Sequence, residues 1–304
     1  RPYEWLKPYP RRFSATIMFL LLYLQLVWLK LLGGKIIWTV HNLYPHDTHQ
    51  LSVDRACTRL LIGLLNGWIS LAPSARDLAI AEYPALASIP DKVSAHAHYR
   101  SNYPPKIAKN AARKQLNLPE DRTVILYFGW IRPYKGVDLL MKAFQNLEAE
   151  NISLVVAGAP LPKSLGKFLQ VLANSDKRIL YMPESQAPAD VAVLFSAADL
   201  AVFPYRKFLN SGAALLSLTY DVPCLIKNTP PMIDLQSAVG QEWVQLFDGE
   251  ISTESLKAAI AWSKRDRGEG APNLAEFEPD LIARETLQFF ETLLMKRSGN
   301  RRLN

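Results

Sequence analysis

Two stretches of the chain carry residue types that could do chemistry at short spacing. The first, His41-Asn-Leu-Tyr-Pro-His46-Asp47, puts two imidazoles and a carboxylate within one turn-rich segment. Such a set can orient a substrate hydroxyl or phosphate, or move a proton near neutral pH. The second is Gly129-Trp-Ile-Arg-Pro-Tyr-Lys-Gly136, where Arg132 and Lys135 follow a glycine and precede an apolar helical pattern that begins at Val137. A guanidinium that grips two oxygens at once, a compact ammonium and the donors of a helix N-terminus together suit a diphosphate.

Each stretch also has a plainer reading. Asn42 and Asp47 could cap a helix and leave the histidines in solvent. Arg132 and Lys135 could be solvated cations of a surface turn. A third feature, Asn210-Ser211-Gly212, opens a run of small residues, and amides exposed at that helix start form a second anion site. The plainer role for Ser211 is an N-cap alone.

The elements that must position these residues follow from apolar periodicity. Lys35 to His41 reads as a buried strand that delivers His41 at its carboxyl end, where ligands sit in open parallel sheets. A helix over 53–65, a strand over 67–71 and a helix from Pro73 follow, and Ser101 to Pro105 reads as a linker. After a helical segment near 106–116, strands are expected at 124–128, 152–158, 179–182, 200–203 and 222–226. Helices fall between them at 137–147, 164–173 and 189–197. That alternation predicts a parallel sheet covered by helices. Expected boundaries are 1–102 for a first domain, 103–280 for a second, and 281–304 for a C-terminal helix with a basic tail.

Near the start, Ser14 to Leu32 reads as a helix ended by Gly33-Gly34. Its apolar run from Thr16 to Leu29 is shorter than the roughly 20 residues a bilayer span needs, which favours a buried crossover helix. Arg11, Arg12, Trp28 and Lys30 leave an interfacial role at a membrane open. His96 and His98 would share a face if they lay on a strand. No further ligands cluster near them, so a structural role is expected.

With 304 residues, 49% hydrophobic and 21% charged, the chain has room for two folded domains, and disorder is excluded as its general state. Two cysteines, Cys57 and Cys224, lack metal-like spacing, so no disulfide framework and no metal site is expected. A net charge of +7 favours an anionic partner: nucleic acid, a sugar nucleotide or an acidic membrane face. No nucleic-acid recognition module is present, so nucleic acid is not expected.

Taken in order, these features resemble a two-Rossmann-domain (GT-B) glycosyltransferase of the family 4-like group, which includes bacterial exopolysaccharide transferases. Thr39-Val-His41 matches a strand end whose histidine, in that family, lies at the donor sugar and diphosphate. Gly129, Arg132, Lys135 and Gly136 match its diphosphate-binding turn, and Ala198-Asp-Leu-Ala-Val-Phe-Pro204 matches its Ala-Asp-Leu-x-Val-x-Pro segment. The resemblance implies an α/β fold of two Rossmann-like domains, the first without the opening strand and glycine loop expected before Arg1.

The implied activity is that of a nucleotide-sugar-dependent hexosyltransferase with a lipid-linked saccharide or polysaccharide acceptor. Its donor, a GDP- or UDP-sugar, is bound as substrate with no separate cofactor and no metal. His41, His46 and Asp47 are then the catalytic candidates, and Asn42 joins the donor contacts. Family members commonly carry two glutamates eight positions apart where this chain has Phe208 and Leu216, and a glycine where it has Asp221. The missing contacts are expected from Tyr205, Arg206, Asn210 and the Ser211-Gly212 backbone. The implied location is cytoplasmic, peripheral on the anionic inner face of the plasma membrane. A sugar-nucleotide epimerase of similar fold and a non-catalytic partner subunit are the competing functions.

Overall fold

The computed structural model describes residues 12–44, 51–268 and 270–295. The chain divides into two compact units. One runs up to His96 and takes in the residues from Pro279 onward, and the other is Ala97–Glu278.

In the first unit, α1 (Arg12–Leu31) leads to β1 (Ile37–Val40), then α2 (Leu51–Ile62), β2 (Gly67–Ser70), α3 (Pro73–Glu82) and β3 (Asp91–Val93). The three strands form one parallel sheet in the order β1-β2-β3, with Trp38 opposite Trp68 and Ile69 opposite Lys92. Trp68 is wholly buried and donates its indole N–H to the Leu86 carbonyl at 3.2 Å. The Arg76 guanidinium bridges both carboxylate oxygens of Asp91 at 2.5 and 3.1 Å, tying α3 to the edge strand.

Two expectations fail in this unit. The strand near His96 and His98 ends at Val93, so neither histidine has a strand face to share. The apolar first helix is not buried: Leu20, Leu21, Leu24, Trp28, Leu31 and Leu32 are 53 to 75% exposed. Its apolar residues run around most of the helix, and one packed face covers only part of such a cylinder. No helix among the described residues is long and apolar enough to cross a membrane.

The second unit continues with α4 (Lys109–Gln115), β4 (Thr123–Phe128), α5 (Val137–Gln145), β5 (Ile152–Ala157), α6 (Lys163–Asn174), β6 (Ile179–Met182) and α7 (Pro188–Ala197). After these come β7 (Leu200–Phe203), α8 (Gly212–Thr219), β8 (Cys224–Lys227), α9 (Pro230–Val239), β9 (Val244–Phe247) and α10 (Thr253–Ser263). All six strands are parallel, in the order β6-β5-β4-β7-β8-β9. The winding direction reverses between β4 and β7, the position at whose carboxyl edge open parallel sheets bind ligands. Strands β4, β5 and β7 are buried almost throughout, as strands covered on both faces must be.

Asp199 fastens the start of β4 to the start of β7. Its carboxylate accepts the Val124 N–H at 2.7 Å and pairs with Arg113 at 2.6 Å and Lys109 at 2.8 Å. Its own N–H donates to the Val124 carbonyl at 2.8 Å. The acidic residue of the Ala-Asp-Leu segment therefore builds the sheet and leaves the strand ends to the site. Asp221 turns α8 into β8 with a left-handed φ of +53°, a conformation that Asp tolerates, and its carboxylate holds Arg100 at 2.7 Å and Lys106 at 2.6 Å. The last described element is α11 (Pro279–Met295), which packs in the first unit: Leu293 and Phe289 lie so close to Gly67 that a Cβ there would sit 2.7 and 3.0 Å from them.

Candidate functional site

In the second unit the candidate site is built where β4 and β7 end side by side. Gly129 follows β4 with φ +124° and donates its N–H to the Ala157 carbonyl at 3.0 Å, so the backbone leaves the sheet in a conformation that disfavours any side chain. The loop then turns through a short 3-10 segment, Pro133–Lys135, with Arg132 in extended geometry before it and Gly136 at φ +67° after it. Gly136 lies under the chain leaving β7: a Cβ built there would be 2.1 Å from the Pro204 carbonyl oxygen. Only glycine satisfies both demands.

The segment Pro204-Tyr205-Arg206 holds this loop residue by residue. Below Lys135 lies the Tyr205 ring, whose centroid is 3.7 Å from the ammonium, and the Tyr134 ring is 5.5 Å away. Arg206 donates its backbone N–H to the Tyr134 carbonyl at 2.8 Å, and its guanidinium reaches the Pro133 carbonyl and the Asp138 carboxylate, the latter at 2.9 Å. Glu250 is a further 3.7 Å partner of Arg206, and Lys227 caps its carbonyl at 3.3 Å. The Arg132 guanidinium lies over the exposed Trp130 indole, 5.6 Å from the ring centre.

Tyr205 itself is 1% exposed, wedged between Phe203 at 5.8 Å and Phe208 at 5.1 Å between ring centres, and its hydroxyl is buried with no hydrogen-bond partner. Ser211 is the N-cap of α8 and accepts the Ala214 N–H at 3.2 Å, so the hydroxyl is engaged with its own helix. Gly212 begins that helix, and Asn210 precedes the cap. Leu216 points into the core, and Phe208 packs on Tyr205, so neither position offers a carboxylate.

In the first unit, His41 follows β1 directly, with its N–H donating to the Thr39 carbonyl at 3.2 Å, and Asn42 comes next. The His41 side chain keeps substantial solvent exposure, yet partial burial first, and the charge of His96 second, lower its pKa from 6.5. A neutral imidazole is therefore its resting form at pH 7. His46 and Asp47 lie outside the described residues. His98 belongs to the second unit, buried, with Nδ1 accepting the Arg100 N–H at 3.3 Å and Nε2 3.1 Å from Glu278. Among the described residues no three His, Cys, Asp or Glu side chains form a metal-binding group.

Gly129, Arg132, Lys135, Tyr205 and Arg206 thus form one cluster, with Asn210, Ser211 and Gly212 farther along the same β7–α8 loop. The residues that motif matching missed are Asp138, Tyr134, the Pro204 carbonyl and Glu250. Asp138 was findable as an acid in the first turn of the helix behind two cations. The carbonyl and Glu250 matter only through spatial proximity, which no local pattern shows.

Comparisons with known proteins agree with this architecture. Residues 108–269 match the family model described as glycosyl transferases group 1. Over 273 residues the chain is 27% identical to the GDP-mannose:glycolipid 4-beta-D-mannosyltransferase of Xanthomonas campestris pv. campestris, covering 90% of this chain and 73% of that one. A shorter match, 37% over 100 residues, relates 30% of the chain to 26% of the lipopolysaccharide 1,2-N-acetylglucosaminetransferase of Salmonella typhimurium. Among solved structures, Anabaena HepE in complex with UDP and glucose shares the fold with a TM-score of 0.71 at 15% identity, over 91% of this chain and 75% of that one. Sucrose-phosphate synthase from Thermosynechococcus elongatus does so with a TM-score of 0.67 at 19% identity, over 89% and 71%.

Proposed function

The chain belongs to the glycosyl transferases group 1 family, and from that premise we propose that it moves a hexose from a nucleotide diphosphate sugar to a lipid-linked saccharide. Arg132 and Lys135 anchor the donor diphosphate. The observation that carries this is their joint position beside the β4–β7 reversal, at the edge of a parallel sheet and next to the N-terminus of α5. As the sugar departs, negative charge grows on the diphosphate. Fixed cations in a partly desolvated loop stabilise that charge without reorganising, which is usually the largest catalytic contribution.

Similarity over 90% of this chain to a protein named as a GDP-mannose:glycolipid mannosyltransferase makes GDP-mannose the first donor to try and a glycolipid the first acceptor class. His41, neutral at pH 7, positions the sugar or a phosphate oxygen or accepts a proton, with Asn42 beside it. His46 and Asp47 are the further candidates for a base. Asn210 and the Ser211-Gly212 backbone complete the donor side, whereas Tyr205, sealed in the core, and Arg206, engaged with the loop, do not supply the donor contacts expected of them from the sequence. An acceptor carried on lipid brings the enzyme to a membrane surface, and a net charge of +7 suits an anionic one.

The test is product analysis with a panel of GDP- and UDP-sugars and extracted glycolipids. Transfer of one sugar to lipid supports the proposal. Epimerised donor without transfer, or no consumption of any donor at millimolar concentration, overturns it, the second result also being what a non-catalytic subunit gives.

A further inference from the structure

We propose that Pro204-Tyr205-Arg206 is a clamp that presets the diphosphate loop, with Tyr205 positioning the Lys135 ammonium and Arg206 positioning the loop backbone, neither of them touching the donor. This rests on the assignment of Arg132 and Lys135 to the donor diphosphate.

Three observations carry it. Tyr205 has almost no accessible surface, so its ring offers nothing to a ligand, while its face lies 3.7 Å from the Lys135 ammonium. A cation over a desolvated ring is favoured by about two- to thirtyfold over one released from it. Because the Tyr205 hydroxyl has no hydrogen-bond partner, the ring alone supplies this effect. Arg206 spends its donors on the loop: the backbone N–H on the Tyr134 carbonyl, and the guanidinium on the Pro133 carbonyl and Asp138. Gly136 is sealed against the Pro204 carbonyl. Consecutive residues leaving β7 therefore contact the loop leaving β4 at Pro133, Tyr134, Lys135 and Gly136, and the first turn of α5 at Asp138.

A lysine on an unsupported loop must lose its side-chain freedom when an anion binds, and that loss subtracts from affinity. Holding the ammonium beforehand removes part of the cost, and a stiff loop keeps Arg132 and Lys135 at a separation that a diphosphate can bridge.

Calorimetric titration of GDP and UDP into the intact chain tests the clamp. The variants are Lys135→Ala, Tyr205→Leu, the double variant, Tyr205→Phe and Arg206→Ala, each checked by thermal melting. Lys135→Ala should weaken the preferred nucleotide about tenfold or more, and Tyr205→Leu about fivefold. In the Lys135→Ala background Tyr205→Leu should add nothing beyond about twofold, because the ring acts through the ammonium. Restoring only the ring, Tyr205→Phe should recover the affinity lost in Tyr205→Leu to within about twofold.

A Tyr205→Leu effect that persists undiminished in the double variant, or no effect at all, overturns the clamp while leaving the diphosphate assignment standing. Binding of neither nucleotide by the unmodified chain, or no loss in Lys135→Ala, overturns the diphosphate assignment and the clamp with it. If Tyr205→Leu fails to fold, Arg206→Ala decides: about fivefold weaker binding supports the clamp, and unchanged affinity overturns it.

Discussion

Asp199 and Arg113 meet at 2.6 Å at the amino ends of β4 and β7, and the same carboxylate accepts the Val124 N–H near the start of β4. This pair fixes where β4 begins relative to β7, and so how far the two strands project at their other ends. Since Arg132 and Lys135 sit on one projecting loop and Tyr205 and Arg206 on the other, the pair at the bottom of the sheet sets the register of the cluster at its top.

Removing that carboxylate should therefore be costly. Asp199→Ala leaves the Arg113 guanidinium, 5% exposed, and the Val124 amide short of their partner. We expect a loss of about 3 kcal/mol in urea-induced unfolding. Asp199→Asn, which keeps an acceptor oxygen, should lose less than half of that, about 1 kcal/mol.

Gly136 is the second structural prediction. Its φ of +67° disfavours a side chain, and the Pro204 carbonyl leaves no room for one. Gly136→Ala should lower stability by about 2 kcal/mol or more. It should also lower nucleotide affinity in whatever fraction remains folded, since the strain is relieved only by parting the two loops. A variant with unchanged melting temperature and affinity would contradict the packing described here.

The cations themselves are separable by kinetics. Arg132→Ala and Lys135→Ala should each reduce kcat/KM for the donor about a hundredfold, with the melting temperature nearly unchanged because neither side chain is buried. Arg132→Lys should recover only part of the loss, since an ammonium cannot grip two oxygens in one plane. Full recovery would mean that charge alone, without bidentate geometry, is what the site requires.

The pH dependence has a defined sign. The folded-state pKa of His41 is depressed below 6.5, so the folded protein holds fewer protons than the unfolded chain in the window beneath that value. Its effect on stability is nil above pH 6.5 and grows as destabilisation while the pH falls from 6.5 through the folded pKa. If the neutral imidazole is the working form, donor kcat/KM is level near pH 7 and falls only on the acid side of 6.5. Profiles of the unmodified chain and His41→Asn from about pH 5 to pH 8 check this. The acid limb should flatten in the variant, and an unaltered limb would remove His41 from the mechanism.

Much of the architecture was legible because the strands β4 to β8 of the second unit are apolar runs bounded by punctuating residues. The strand from Thr123, the helix from Val137 and the cations between them follow from local pattern. The helix Pro230–Val239 and the strand Val244–Phe247 were not anticipated. Its strand, Val-Gln-Leu-Phe, is a short run at the sheet edge, and its helix opens on two prolines that read as a turn. Strand Asp91–Val93 was also obscured, since its pattern runs on into Ser94 and the histidines beyond.

Chemistry was harder to see than fold. The proposed anion site at Arg132 and Lys135 rests on residue type and spacing. That Tyr205 is a buried platform and Arg206 a brace depends on β4 and β7 being neighbours in the sheet. Seen along the chain, an exposed-looking Tyr-Arg-Lys segment suggests ligand contacts. In the fold its first residue is sealed, and its second is spent on the Pro133 and Tyr134 carbonyls and on the Asp138 carboxylate.

The most direct measurement compares GDP with GMP as ligands of the unmodified chain and of an Arg132→Ala/Lys135→Ala variant, by calorimetry in one buffer of fixed ionic strength. Diphosphate anchoring predicts that GDP binds about a hundredfold more tightly than GMP. It also predicts that removing the two cations collapses this gap to a few-fold while GMP affinity changes little. Equal affinities for GDP and GMP in the unmodified chain, or a gap that survives the double substitution, would contradict it.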